Sequence, residues 1–487
     1  VLLENKIDTS DPTFIAWKED DSISLQEFLL YAITQNWIDT SKLNVESKYS
    51  NTEEIYNALT VYIQEKLAGD TSFNKLLYKY MIKNYTITAS QICIILFEQN
   101  VLEYNEEEFN SLLSGNSYVA YNFIVDKISK LDITPAQLAI EPFSGSVIIT
   151  GMEGDILALV TYPSYDNNML SGSVNAEYYS KLQNDLSLPL YNRATMTGTA
   201  PGSTYKMITA IAGLEEGVIT PYEEIRDLGV FDKITPIVKC WIYPGNHGLE
   251  NVTEALRDSC NYFFYEVGYR LSTDSDGKFN SGLGLSRIAK YAEMFGFNSY
   301  SGVELSESFP KISDQNSVPT SIGQGSNKFT NVQLARYITI LANGGKNYEL
   351  TLLDRLADSD GNTIKTYSAD LINTLEFAQS TWNSVLSGMH LVTTNGSVRS
   401  IFKNLPISVA GKTGTAQQDL LKPNHALFVS YAPFEEPEIG VSVLIPNGYA
   451  SSYAAEITKD VLKIYYNIED EIDTNSAVIP EGNIQGD

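Results

Sequence analysis

The sequence predicts a mixed α/β (α+β) protein, with a central antiparallel sheet flanked by helices and a mainly helical region in front of it. Three observations carry that expectation. Apolar residues recur every three or four positions through roughly the first 130 residues. Near Pro135 the texture changes, and "AIEPFSGSVIITGMEGDILALVTYPSYDNN" reads as two β-rich runs around a Gly-Met-Glu-Gly turn. Further β-rich runs return only late in the chain, with helical patterns between, and strands segregated in this way suit an antiparallel sheet with helices packed on it.

In chain order, "SLQEFLLYAI", "TEEIYNALTVYIQEKL" and "FNKLLYKYMI" have helical periodicity. Residues 1–132 are therefore expected to form an accessory or docking region without a catalytic constellation. The apolar run "SQICIILF" (90–97) is too short to span a bilayer and reads as a core segment. Within 133–465, helical patterns cover 203–216, 252–270 and 331–343, and strands are expected near 408–412, in "HALFVSYAP" and in "IGVSVLIPNG". The tail, 466–487, is acidic and turn-rich, a composition expected to be disordered. No internal repeat is visible.

The 487 residues suffice for two or three domains with ample core. A net charge of −27 argues against nucleic acid as a partner and against electrostatic docking on anionic lipid. Three cysteines, Cys93, Cys240 and Cys260, are too few for a disulfide framework. The chain opens at Val1 rather than methionine, so an upstream anchor or signal is expected.

The stretch "GTAPGSTYKMITAIAGLEEG" (198–217) places Ser203 and Lys206 at i and i+3, on one face where a helix begins. Ser203 is a favoured N-cap or first-turn residue there. A neutral lysine in that position can take the serine proton, and burial or a neighbouring cation favours the neutral amine. The helix start also offers N–H groups to a developing oxyanion. Ser-x-x-Lys by itself is weak, because it also begins at Ser72, Ser275, Ser308 and Ser400. Two further segments single out Ser203. "RDSCNYFFYEVG" sets Ser259 and Asn261 two apart before an aromatic helix, and in "SVAGKTGTAQQ" an expected strand ends in Lys412-Thr413-Gly414-Thr415, whose small residues would let a substrate backbone approach.

In the order Ser-x-x-Lys, Ser-x-Asn, Lys-Thr-Gly, these motifs resemble the signature of the penicillin-binding proteins and serine β-lactamases. "YNRATMTGTAPGSTYKMITAIAGLEEG", "HGLENVTEALRDSCNYFF", "SIGQGSNKFTNVQLARYITILANGG", "VAGKTGTAQ" and "GDILALVTYPSYDNN" are similar to class B penicillin-binding proteins over about residues 135–465. The resemblance implies a peptidoglycan D,D-transpeptidase that needs no cofactor for its chemistry. Ser203 would attack the D-Ala-D-Ala carbonyl of a stem peptide and Lys206 would be its base. Ser259 would relay a proton to the leaving amine, and Asn261 would bond the substrate amide and Lys206. Lys412, Thr413 and Thr415 would hold the substrate carboxylate, and the N–H groups of Ser203 and Thr415 would form the oxyanion hole. An acceptor amine would resolve the acyl-enzyme, and β-lactams would trap it. The resemblance further implies membrane-bound wall-synthesis partners such as a glycan polymerase, a place on the extracytoplasmic face of the bacterial membrane, and, from "GNHG", an elongation-type role. Two alternatives stand beside this reading: a D,D-carboxypeptidase or β-lactamase, and a silent β-lactam sensor or scaffold.

A structural zinc is the remaining expectation. Cys240, His247 and Cys260 fall in "KCWIYPGNHGLENVTEALRDSCN" and are ligand types that suit zinc. If Ser259 and Asn261 face one way, Cys260 between them faces the other. Asp232, eight positions before Cys240, is the expected fourth ligand. The rival readings are ordinary core residues and a Cys240–Cys260 disulfide.

Overall fold

The computed structural model describes residues 2–468 apart from 4–5, 19–22, 45–50, 131, 137, 139–141 and 418–421. The expected tail therefore lies outside the described residues from 469 onward. The chain divides into two compact units, Val1–Ile133 and Thr134–Asp487.

The first unit is helical: α1 (Pro12–Lys18), α2 (Leu25–Thr34), α3 (Thr52–Ala68), α4 (Thr71–Lys83), α5 (Ala89–Glu98), α6 (Glu106–Leu112) and α7 (Ser117–Ser129). Reciprocal capping boxes start α2 (Ser24 with Glu27), α3 (Asn51 with Glu54) and α5 (Thr88 with Gln91), each satisfying N–H groups that a helix start leaves open. Phe28, Ala32, Trp37 and Leu59 make one small core, with Trp17 stacked on Phe28 at 4.1 Å. Cys93, Leu96 and Phe97 of "SQICIILF" are buried in α5. No residue of α4 is buried.

The second unit is built on a five-stranded sheet of β1 (Gly145–Gly151), β2 (Ile156–Tyr162), β3 (Ala410–Ala416), β4 (His425–Ala432) and β5 (Ile439–Ile445), in the order β3-β4-β5-β1-β2. All its pairings are antiparallel. The early hairpin therefore joins the late strands through β1 and β5, in the register Val147↔Val443. Every residue of β5 is buried. A helix over Asn331–Ala342 packs on β5 and β1, and one over Ser451–Tyr465 packs on β4 and β5. The buried Asn331 amide ties its helix to the sheet, donating to the Ser146 and Ser442 carbonyls at 3.1 Å. The first late strand, β3, begins two residues after the expected start and runs through Lys412–Thr415 instead of ending there, because each of these residues pairs with β4 from Val429 to Ala426. That places β3, with its Lys-Thr-Gly-Thr segment, at the edge of the sheet.

The periodicity at 252–270 resolves into two helices, α9 (Val252–Arg257) and α10 (Asn261–Leu271), with α8 (Lys206–Glu215) packed on α10. The break has a backbone cause: Ser259 has φ +55°, a left-handed conformation no helix continues through. Cys260 then caps α10, its sulfur accepting from Phe263 N–H at 3.4 Å.

Candidate active site

Ser203 lies in a 3-10 turn, Gly202–Tyr205, that leads directly into α8. The turn is wedged between two glycine-bearing segments. A Cβ on Gly414 of β3 would meet Thr204 Cγ2 at 2.7 Å and the Pro201 carbonyl oxygen at 2.9 Å. On the other side Gly202 N–H donates to the Gly323 carbonyl at 3.2 Å, and a Cβ on Gly323 would collide with the Gly202 carbonyl oxygen. The small residue in the Lys-Thr-Gly segment thus admits the Ser203 turn, a close approach within the chain that its position in the sequence did not reveal. Ser203 also makes no capping bond, so the first-turn reading holds and the N-cap reading does not.

Lys206 and Lys412 are both fully buried. Lys206 Nζ donates to Asn261 Oδ1 at 2.7 Å, to the Ser259 carbonyl at 2.6 Å and to Ser259 Oγ at 3.2 Å. From β3, Lys412 Nζ donates to the same Ser259 Oγ at 2.9 Å and to the Thr413 carbonyl and hydroxyl at 3.2 and 3.3 Å. One hydroxyl therefore bridges two buried amines, and the left-handed backbone at Ser259 aims both its carbonyl and its side chain at Lys206. Ser203, Asn261 and Thr415 open onto a cleft of about 160 Å³ together with Ile322, Gln324, Gln417 and Asn424. Thr415 Oγ1 is buried with no bond to a described atom. A hydroxyl opening on a cleft from the turn that starts α8, with two buried amines sharing a second hydroxyl, is an arrangement compatible with serine acyl transfer.

All eight residues that the motifs single out, Ser203, Lys206, Ser259, Asn261 and Lys412–Thr415, meet in this place. Gln324, Gln417 and Asn424 carried no role in the sequence reading. The glycines bracketing Gln324 in "SIGQG" were the available signal, since both have positive φ; Gly323 lies against the Ser203 turn and Gly325 against Ser313 and Thr320.

Residues 145–463 match the penicillin binding protein transpeptidase domain. The chain belongs to that family. Among relatives of this penicillin-binding protein, the peptidoglycan D,D-transpeptidase MrdA of Haemophilus influenzae is 32% identical over 360 residues, 66% of this chain and 52% of its own. MrdA of Escherichia coli K12 is 29% identical over 65% of this chain and 53% of its own. The chain thus spans about half the length of the curated relatives it matches. Penicillin-binding protein PBP2 of Pseudomonas aeruginosa, solved with WCK 5153, superposes with a TM-score of 0.57 at 28% identity, covering 67% of this chain and 71% of that one. Penicillin-binding protein A of Mycobacterium tuberculosis, solved as a penicillin G acyl-enzyme, does so at 0.56 and 26%, over 67% and 74%.

Behind the Ser259–Asn261 turn, ligand atoms of Asp227, Cys240, His247 and Cys260 lie within 4.8 Å of one another. Asp232, the expected fourth member, is exposed. The reason is local register. Phe231 turns fully inward, which sends Asp232 outward, and Cys240 N–H bonds the Gly229 carbonyl, which brings the chain just before Gly229 over the cluster. Asp227 accepts there from Gly229 N–H at 2.7 Å and from His247 N–H at 3.1 Å. All three cysteines are unpaired thiols, so the disulfide reading fails.

The set fits zinc. A tetrahedral ion with Zn–S of about 2.3 Å and Zn–N of about 2.0 Å places ligand atoms roughly 3.3–3.8 Å apart. Here Cys240 Sγ is 3.5 Å from His247 Nδ1, and Cys260 Sγ is 3.6 Å from Asp227 Oδ2. The 2.8 Å from His247 Nδ1 to Asp227 Oδ2 is a hydrogen-bond distance. Burial opposes ionisation of Asp227, yet bonds from His247 and Gly229 bring its carboxyl down to about 2. The neighbouring Cys260, with His247, brings the Cys240 thiol down to about 5, whereas burial pushes Cys260 up.

Proposed function

We propose that this chain is a serine D,D-transpeptidase that cross-links peptidoglycan stem peptides. The observation that carries the reading is the convergence of buried Lys206 and Lys412 on Ser259 Oγ beside the Ser203 cleft. Ser203 Oγ attacks the penultimate D-Ala carbonyl carbon, and its proton passes to Lys206. The tetrahedral oxyanion is held by the N–H groups of Ser203 and Thr415. The C–N bond then breaks, and Ser259 delivers a proton to the departing D-alanine amine as it takes up the one held by Lys206. The serine ester is attacked by an acceptor amine from a second stem, which forms the new amide and returns the proton to Ser203. Lys412, Thr413 and Thr415 face the donor's terminal carboxylate, with Thr415 Oγ1 available to bond it. β-Lactams, as donor mimics, stop at the ester. The substrate lies in the cell wall, so the chain works on the extracytoplasmic face of the membrane, beside membrane-bound partners that include a glycan polymerase. Residues 1–132 would serve there as an accessory region.

Asp227, Cys240, His247 and Cys260 would hold a structural zinc. The ion would cross-link the segment before Gly229, the Cys240–His247 loop and the cap of α10, and so fix Ser259 and Asn261 from behind. No chemical step passes through it.

The test is incubation with a labelled penicillin and, separately, with a D-Ala-D-Ala donor plus an acceptor amine. A persistent adduct on Ser203 and amine-dependent release of D-alanine are expected. Rapid hydrolysis of the antibiotic would make the chain a lactamase. Release of D-alanine without amine dependence would make it a carboxypeptidase, and an adduct with no turnover would make it a sensor.

A further inference from the structure

Helix α4 is the one helix of ten residues or more among the described residues with none buried, yet its sequence, "TSFNKLLYKYMIK", is amphipathic. Asp70 caps it, accepting from Phe73 N–H at 2.8 Å. At about 100° per residue, Leu76, Tyr80, Phe73, Leu77 and Met81 fall on one arc, and Lys75, Lys79 and Lys83 on the arc beside it. Leu76 and Tyr80 are 67% and 65% exposed, and Tyr85, just past the helix, is 84% exposed. A helix this short is marginal in water unless its apolar face is covered. The charge around it is equally local. From Thr71 to Phe97 the only charged residues are these three lysines, in a chain whose net charge is −27.

We propose that α4 is a membrane-surface helix, lying in the headgroup layer of an anionic bilayer with Leu76, Tyr80, Phe73 and Leu77 in the acyl boundary. A row of lysines four apart along one edge of an apolar arc matches a diffuse sheet of phosphates, and a convex face of leucine and tyrosine suits the lipid interface. The overall acidity, which argued against lipid, does not oppose this. Charges beyond a Debye length of about 8 Å are screened, so the acids that count are those beside the helix, and Asp70 is engaged at its N-terminus. This contact is independent of the chemistry at Ser203.

The test is flotation of the full chain with vesicles of phosphatidylglycerol and phosphatidylethanolamine, and with phosphatidylcholine vesicles as the neutral surface. Binding to the anionic vesicles, weakened by added salt, is expected. The triple variant Lys75→Gln/Lys79→Gln/Lys83→Gln should lower partitioning about 100-fold. Leu76→Glu/Tyr80→Glu, at positions already exposed, should abolish it while penicillin labelling persists as a check on folding. Failure of the unaltered chain to float with anionic vesicles overturns the proposal and leaves a protein groove as the occupant of the face. Equal binding to neutral vesicles, or binding undiminished in both variants, also overturns it.

Discussion

Ser203 caps no helix, so alanine there removes a hydroxyl and little else. Ser203→Ala is expected to cost under about 1 kcal/mol and to abolish covalent penicillin labelling; stoichiometric labelling of the variant would place the nucleophile elsewhere. Lys206 is fully enclosed, so methionine, which fills much the same space, separates charge from packing. Lys206→Met should slow acylation about 100-fold or more through loss of the base, and a stopped-flow rate near that of the unaltered chain would leave Lys206 a structural role. Lys412→Met should act differently, weakening β-lactams that carry the carboxylate more than analogues without it. Cys93 lies outside this chemistry. Burial pushes its thiol from 9.0 up to about 11, so iodoacetamide at pH 8 should spare it until the chain unfolds. The sign of its pH effect follows. Above pH 9 the unfolded thiol gives up its proton while the folded one keeps it, so alkali from 9 to 11 favours unfolding of the first unit. Cys93→Ala should reduce that loss.

At the scale of elements, the turn at 258–260 divides its residues between two sites, and the zinc proposal turns on what lies behind it. Asp227→Asn should lower the zinc content of the purified chain and the melting temperature of the second unit, whereas Asp232→Asn should change neither. Less than a tenth of an equivalent of zinc in the unaltered chain, with melting insensitive to chelator, would remove the metal. This contrast also marks what the sequence could show. Ser203, Lys206, Ser259, Asn261 and Lys412 were legible because each lies in a short local motif and the three motifs occur together in one order. Asp227 was not, because its place depends on the cross-strand bond from Cys240 N–H to the Gly229 carbonyl, a pairing that linear spacing to Cys240 does not reveal. The break in 252–270 was hidden for a similar reason. Apolar periodicity continues across it, and the left-handed φ of Ser259 has no sequence signature of the kind glycine provides. Gly414 was legible as a close approach but not as to what approaches. Gly414→Ala is expected to push the Ser203 turn away, at about 1–3 kcal/mol, and to depress acylation beyond that loss of stability.

For the whole molecule, the sheet and its helices followed from where the β-rich runs fall, whereas the junction through which the hairpin near 145–162 joins the strands after 410, β1 against β5, did not. The two units have separate cores. Calorimetry is expected to resolve a transition that both a β-lactam and a chelator shift, in opposite directions, and another that neither moves. A chelator shift confined to the β-lactam-insensitive transition would contradict the assignment of the metal cluster to the second unit. The alternation of side chains at residues 259–261 reaches further, into inhibitor chemistry. Ser259 and Asn261 line the front, and Cys260 lies behind them against Asp227. If the proposed function holds, a compound that distorts the rear of this turn would not compete with the stem peptide, so raising substrate concentration would not restore turnover. Substitutions that reshape the cleft to exclude an antibiotic would leave such a compound's target intact, and escape from it would have to alter the support of Ser259 itself.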